Sequence, residues 1–181
     1  AFLAGAVLYG LLAPTISAYE LAHGIVRGTE ASIDTARMFG EFYPNPGDSM
    51  AVVSMPLAMV AEGFGTFLLV MFIFALTEGC NVGRPSDTMA PVFIGLSVSS
   101  IICLIAPLTQ AGLNPARDFG PRLVSWLAGW GEVAFPDACC GGFFFVYILA
   151  PILGGAVAAY ALTYVIEPLI KQGDGSCECE K

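Results

Sequence analysis

Four stretches of this sequence are so long and so free of charge that they fix its class before any motif is read. Residues 1–19 (AFLAGAVLYGLLAPTISAY), 88–108 and 141–166 carry no Asp, Glu, Lys or Arg, and residues 50–77 carry one, Glu62. A helix needs about 20 mostly apolar residues to cross the hydrocarbon of a bilayer. There its own hydrogen-bond ladder must satisfy every backbone N–H and C=O. All four stretches reach or approach that length. Hydrophobic residues make up 56% of the chain and charged residues 12%, whereas soluble domains hold roughly a quarter charged residues. The mean hydropathy is +0.76. These features predict an all-α membrane protein, one domain over residues 1–181, with the lipid bilayer as its first partner.

Several function classes drop out. With a net charge of −8 and seven Lys plus Arg, the chain lacks the basic face that nucleic acid requires. Much of the acidity lies in residues 20–48 and in the tail GDGSCECEK, which read as solvated surface. Cys103 lies in an apolar run and is expected to be a small buried hydrophobe. Adjacent Cys139 and Cys140, with the lone C-x-C of Cys177 and Cys179, make neither a disulfide framework nor a four-ligand zinc site, so free thiols and no metal are expected. The single histidine, His23, reads as a loop residue near the membrane surface, and no H-E-x-x-H is present. No nucleophile–base or metal constellation remains, so neither an enzyme nor a cofactor is expected. Coupled transport by titration needs several ionisable groups within the spans, and Glu62 is nearly alone there.

The most apolar region is interrupted by chemistry. No charged residue occurs from Thr88 through Ala116, and then QAGLNPARDFGPRL, residues 110–123, brings in Arg117, Asp118 and Arg122. Asn is a favoured N-cap and Pro is favoured at the first helical position, where its missing N–H costs nothing. A helix from Asn114 to about Leu127 is therefore predicted, roughly 14 residues and about 21 Å long. That falls short of a hydrocarbon core of about 30 Å, so the segment lies outside the membrane or dips in and returns. Irregular backbone at membrane depth is tolerated only where protein or a water-filled cavity satisfies it. The carbonyls of Gln110, Ala111, Gly112 and Leu113 would then face water as acceptors. Opposite them stand the positive helix end, the amide of Asn114 and the side chain of Arg117. Such a site suits a small neutral hydroxyl species and repels cations. Asp118 and Arg122, spaced i,i+4, can pair along the helix flank. Elsewhere, YPNPGDS is a turn-rich loop, a short helix is predicted over Ser32–Phe39, and residues 78–87 form a short connection.

NPARDFGPRL resembles the second signature motif of the aquaporin family, and the Asp after Arg resembles its glycerol-facilitator branch. HGIVRG at 23–28, YPNP at 43–46, FALTEG at 74–79 and LAGWGEVAFP at 127–136 resemble glycerol-facilitator sequence in the same order. The resemblance covers essentially all of the chain. It implies an aquaporin-like bundle of inverted repeats, in which half-helices bearing Asn-Pro-Ala motifs meet near the midplane. On that plan the chain holds the third helix (1–21) and the second inverted repeat, giving four spanning helices and one re-entrant half-helix. It reads as an N-terminally truncated fragment lacking the first two helices and the first Asn-Pro-Ala motif. The resemblance implies a multi-pass homotetramer of the cell membrane that passes glycerol or similar polyols and water. A water-dominant pore and a coupled secondary transporter are the alternatives. Loop 22–49 would be external, while loop 78–87 and the tail would be internal. Arg84, Lys171 and Lys181 then lie inside and Arg27 and Arg37 outside, a weak positive-inside bias.

The resemblance also implies roles. Asn114 matches the Asn whose amide bonds permeating oxygens, and Pro115 and Ala116 complete that motif. Arg117 matches the arginine of the selectivity filter. Glu62 matches a fourth-helix glutamate that accepts hydrogen bonds from the re-entrant backbone, in keeping with the need of an intramembrane charge for an internal partner. Three positions depart from the glycerol-channel pattern: Ala111 replaces an aromatic and is expected to leave space, Ile102 replaces Gly with apolar bulk, and Tyr147-Ile148 replaces Pro-Leu. Asp118 and Arg122 are read as structural support. The Phe143–Phe145 run is read as lipid-facing or interhelical packing, and Gly154, Gly155 and Ala158 as a close helix approach.

Overall fold

The computed structural model describes residues 1–48, 50–137 and 140–173, without the side chains of 171–173. Lys181 and three of the six cysteines (Cys139, Cys177 and Cys179) lie outside the described residues, as does the side chain of Lys171. Four helices are long and apolar enough to cross a membrane: Phe2–His23, Met55–Thr77, Ala90–Thr109 and Phe144–Ile170. These are the four predicted spans. We label the helices α1 (Phe2–His23), α2 (Ile33–Ala36), α3 (Met55–Thr77), α4 (Ala90–Thr109), α5 (Pro115–Ser125), α6 (Ala150–Ala161) and α7 (Glu167–Gly173). The last span is α6 with wider π-helical turns on either side, Phe144–Leu149 and Leu162–Ile166, running on into α7.

Local sequence sets the helix ends. Gly24, at φ 66°, closes α1 by returning its N–H to the carbonyls of Glu20 and Leu21, a left-handed cap that glycine takes without steric cost. Pro56 and Pro91 stand in the first turns of α3 and α4, where no N–H is needed. The predicted helix over 32–39 is shorter than expected: a 3-10 turn, Glu30–Ser32, leads into α2, which stops at Ala36. Leaving the helix there lets Phe39 join Ile16, Ala36, Phe42, Trp130 and Ala134 in one buried cluster. Gly40 is thereby brought against the guanidinium of Arg122.

Two layers of packing follow. α3 packs on both α4 and α6, while α1 packs on α5. The α3–α6 contact is close because Gly154 lies directly on the backbone of Gly63, and Ala158 one turn on is fully buried. This is the approach that small residues at helix interfaces permit. Most of each span faces outward and is apolar: Leu3, Val60 and Tyr160, on three different spans, are 78, 67 and 65% exposed. Water would not tolerate such a surface, and lipid or neighbouring helices would. Phe144 is exposed, while Phe143 stacks on Tyr147 and Phe119.

Cysteine and arginine placement departs from expectation. Cys103 is exposed on α4 rather than buried, because Ile101 and Ile105 hold the inward face there. Cys80 is buried and disulfide-bonded, a pairing that chain folding decides and spacing does not show. Arg27, read as a loop charge, is drawn inward: it binds Glu20 at 2.8 Å, the Tyr9 hydroxyl at 2.8 Å and the Ala128 carbonyl at 2.9 Å. Its guanidinium also lies 4.0 Å from the Trp130 ring centroid, locking α1 to the segment after α5. His23 is the last residue of α1 and stacks on Tyr19.

Candidate functional site

α5 is 11 residues long, or about 16 Å at 1.5 Å per residue, so it does not span. It begins where the sequence placed its start. Asn114 has extended backbone, and its side-chain oxygen accepts from the N–H groups of Ala116 (3.0 Å) and Arg117 (3.3 Å). With that oxygen engaged, the amide NH2 of Asn114 is left to donate outward. Asn114, Ala116 and Arg117 are exposed on one side of the helix start. α5 ends earlier than expected, giving way to a π-helical turn, Trp126–Trp130, that contains Gly129 at φ 106°.

The backbone before α5 is held from below by a buried carboxylate. Glu62, on α3, has no solvent exposure. Its Oε1 accepts from the Thr109 hydroxyl at 2.6 Å and the Gly112 N–H at 2.9 Å, and its Oε2 accepts from the Leu113 N–H at 2.7 Å. Thr66, one turn along α3, donates to the Leu113 carbonyl at 2.9 Å, and Tyr147 donates to the Thr109 carbonyl at 3.0 Å. This clamp maintains an unusual trace, with Gln110, Ala111 and Leu113 at φ 63°, 64° and 56°. Non-glycine residues hold such conformations only where their surroundings fix them. Gly112 is required for space: a Cβ there would come 2.7 Å from Cδ1 of Tyr147.

That trace revises the expected row of acceptors. The Gly112 carbonyl already accepts from the Asn114 N–H at 2.6 Å, and the Leu113 carbonyl from Thr66. The carbonyls of Gln110 and Ala111 make no hydrogen bond with the described residues. The side chains of Ala111 and Leu113 are buried with Ala61, Ile101 and Ile105. Ala111 therefore does not open space beside the site, because its left-handed backbone turns the methyl into the helix cluster. Ile102 is 40% exposed on α4.

A second clamp fixes the flank of α5. Asp118 and Arg122 form the i,i+4 pair that their spacing predicts, with Nε to Oδ2 at 3.0 Å and Nη2 to Oδ1 at 2.8 Å, both side chains fully buried. Arg122 also donates to the carbonyls of Ala134 and Glu41, and Asp118 accepts from the Glu41 N–H at 2.7 Å. The pair is thus a buried anchor for the 24–54 connection. Arg117, by contrast, keeps about half of its side chain exposed and pairs with the carboxylate of Glu41. Glu41, Thr66, Thr109 and the amide of Gln110, which accepts from the Phe42 N–H at 2.8 Å, were not foreseen. Glu41 lies 76 positions from Arg117 in sequence, and no periodicity links them. Among the described residues there is no group of His, Cys, Asp and Glu able to hold a metal ion.

The chemistry of the site is that of a capped positive helix end with exposed donors, held by buried polar clamps. The family model described as major intrinsic protein matches residues 1–164. Relatives include the glycerol uptake facilitator protein of Escherichia coli (strain K12), 40% identical over 166 residues, which cover 92% of this chain and 57% of that protein. The protein of the same name from Pseudomonas aeruginosa is 37% identical over 180 residues, 99% of this chain and 62% of that one. The propanediol uptake facilitator of Citrobacter freundii is 40% identical over 160 residues, 88% and 56% respectively. Among solved structures, the aquaglyceroporin from Plasmodium falciparum superposes with a TM-score of 0.70 at 23% identity, covering 94% of this chain and 62% of that one, a likeness of fold. The chain therefore spans less than two thirds of the length of these relatives.

Proposed function

Because the chain belongs to the major intrinsic protein family, we propose that it forms part of a multi-pass channel for passive transport of glycerol, similar small polyols and water. The observation that carries this reading is the start of α5. There Asn114 caps the helix with its oxygen and leaves its NH2 outward, beside exposed Arg117, on a helix too short to span. Fixed donors at a positive helix end replace the hydration of a hydroxyl solute's oxygens, while the same positive end repels a cation. The names of the relatives support glycerol or propanediol as solute class. Within this reading Asn114, Pro115, Ala116 and Arg117 form the pore-facing group. Gln110 and Ala111 add backbone carbonyls, Ile102 adds an apolar wall, and Gly112 and Leu113 serve the clamp. The reading extends to a homotetramer of the cell membrane, and the apolar outward faces of all four spans support its embedding in lipid.

The test is stopped-flow measurement of glycerol and water flux in proteoliposomes of the full-length protein. Flux that persists without any ion gradient is expected of a channel. Flux that vanishes when ion gradients are dissipated would establish coupled transport instead.

A further inference from the structure

We propose that Cys80 is the site of a covalent cross-link to the tail, in which its sulfur is bonded to that of Cys177 or Cys179. The proposal is independent of the pore reading. Cys80 is disulfide-bonded and 3% exposed, although it stands in a loop whose Gly79 and Val82 are exposed. The nearest cysteine along the chain is Cys103, which is free and exposed on α4, so the partner is distant in sequence. Four cysteines remain: Cys139 and Cys140 before the last span, and Cys177 and Cys179 after it.

Distance decides which pair can reach Cys80. The first pair belongs to the end of the molecule where α3 starts. The Cys140 N–H donates to the Asp137 carbonyl at 3.1 Å, Asp137 accepts from the Tyr43 hydroxyl at 3.4 Å, and Tyr43 packs with Met55, the first residue of α3. Cys80 lies just past the other end, beyond Thr77. The 23 residues of α3 span about 34 Å at 1.5 Å per residue. Cysteines whose Cα atoms are more than about 7 Å apart cannot be bridged, so Cys140 and its sequence neighbour Cys139 are out of reach. The tail is near. Glu78 and Asn81, which flank Cys80, line a cavity of about 220 Å³ with Thr163, Glu167 and Ile170 of the last span. Asn81 is fixed there, its Nδ2 donating to the Ala75 carbonyl at 2.7 Å. α7 ends at Gly173, within one helical turn of Ile170. From Gly173 an extended chain reaches about 14 Å to Cys177 and about 20 Å to Cys179, enough to return to the loop. Forming the bond converts two thiols into one disulfide. Two protons are released, and two electrons pass to an oxidant of the glutathione disulfide class, which leaves as two thiols. The bridge ties together the ends of the two helices that carry Glu62 and Tyr147, the side chains that hold the backbone before α5.

The experiment is peptide mapping of the full-length protein, equilibrated with glutathione disulfide, its free thiols blocked and the chain cut after aromatic residues. Cutting after Phe74 and Phe93 leaves Cys80 as the one cysteine of residues 75–93. Cys103 falls in 94–119, Cys139 and Cys140 in 131–143, and Cys177 and Cys179 in the segment after Tyr164. The expected result is the 75–93 peptide joined to that last segment. It should be at least about tenfold more abundant than in a sample reduced with dithiothreitol before blocking, and absent from Cys80→Ser. The wild-type map needs no variant to fold. Recovery of Cys80 as a blocked thiol or a glutathione adduct overturns the proposal, as does a bond from 75–93 to 94–119 or 131–143. A bond between two copies of the chain, seen as a dimer on a non-reducing gel and lost in Cys80→Ser, overturns it equally.

Discussion

Replacing Glu62 with Leu in the full-length protein keeps most of the side-chain volume and strips the loop before α5 of its clamp. The N–H groups of Gly112 and Leu113, bonded at 2.9 and 2.7 Å, would face hydrocarbon. The Thr109 hydroxyl, 2.6 Å from Oε1, can turn to a carbonyl one turn back in α4, as Thr side chains in helices do. Two backbone donors therefore decide the magnitude. A buried donor without its partner costs about 1–3 kcal/mol, giving about 2–6 kcal/mol for the pair. The loop has a further reason to move, since Ala111 and Leu113 sit at φ 64° and 56° and each such residue holds about 1–3 kcal/mol of strain. Without the clamp they relax toward extended backbone and carry Asn114 away from the helix axis, so solute flux is lost along with stability. Glu62→Gln offers one acceptor oxygen and turns its NH2 toward one of the two N–H groups, so it should lose about half as much, about 1–3 kcal/mol. Equilibrium unfolding in detergent should rank wild type above Gln above Leu, and hydrogen exchange should rise first at Gly112 and Leu113. A Leu variant within about 1 kcal/mol of wild type, with those amides still protected, would refute the clamp. A Gln variant as unstable as Leu would refute the accounting by donors.

Arg122→Leu leaves Asp118 as a buried charge with only the Glu41 N–H for company, and should destabilise the protein by about 3–5 kcal/mol. Joining it to Asp118→Leu should cost clearly less than the sum of the two single changes, and simple additivity in the unfolding measurements would show that the two do not act as a pair. Ala111→Phe drives a ring into the cluster of Ala61, Ile101 and Ile105. It should lower stability by about 1–3 kcal/mol without raising the ratio of glycerol to water flux. A raised ratio at unchanged stability would place that side chain in the pore.

The amino-acid sequence by itself determined whatever depends on near neighbours. Four apolar stretches with a single charge among them dictate four spans, because hydrocarbon leaves a backbone of that length no option but a helix. Asn114-Pro115 dictates where α5 starts, since an N-cap and a first-turn proline act within three residues. The four-residue spacing of Asp118 and Arg122 dictates their pairing, which one helical turn supplies. Only the tertiary structure decided the rest. The three partners of Glu62 come from residues 47 to 51 positions away, and their meeting depends on how α3 packs against α4. The direction of Ala111 hangs on one left-handed φ angle, which the composition of the loop does not dictate and the Glu62 clamp does. Arg117 finds its carboxylate partner, Glu41, because the N–H and carbonyl of Glu41 are captured by a buried ion pair. Contacts of that kind are set by the closure of long loops onto packed helices, and no local pattern in the chain encodes them.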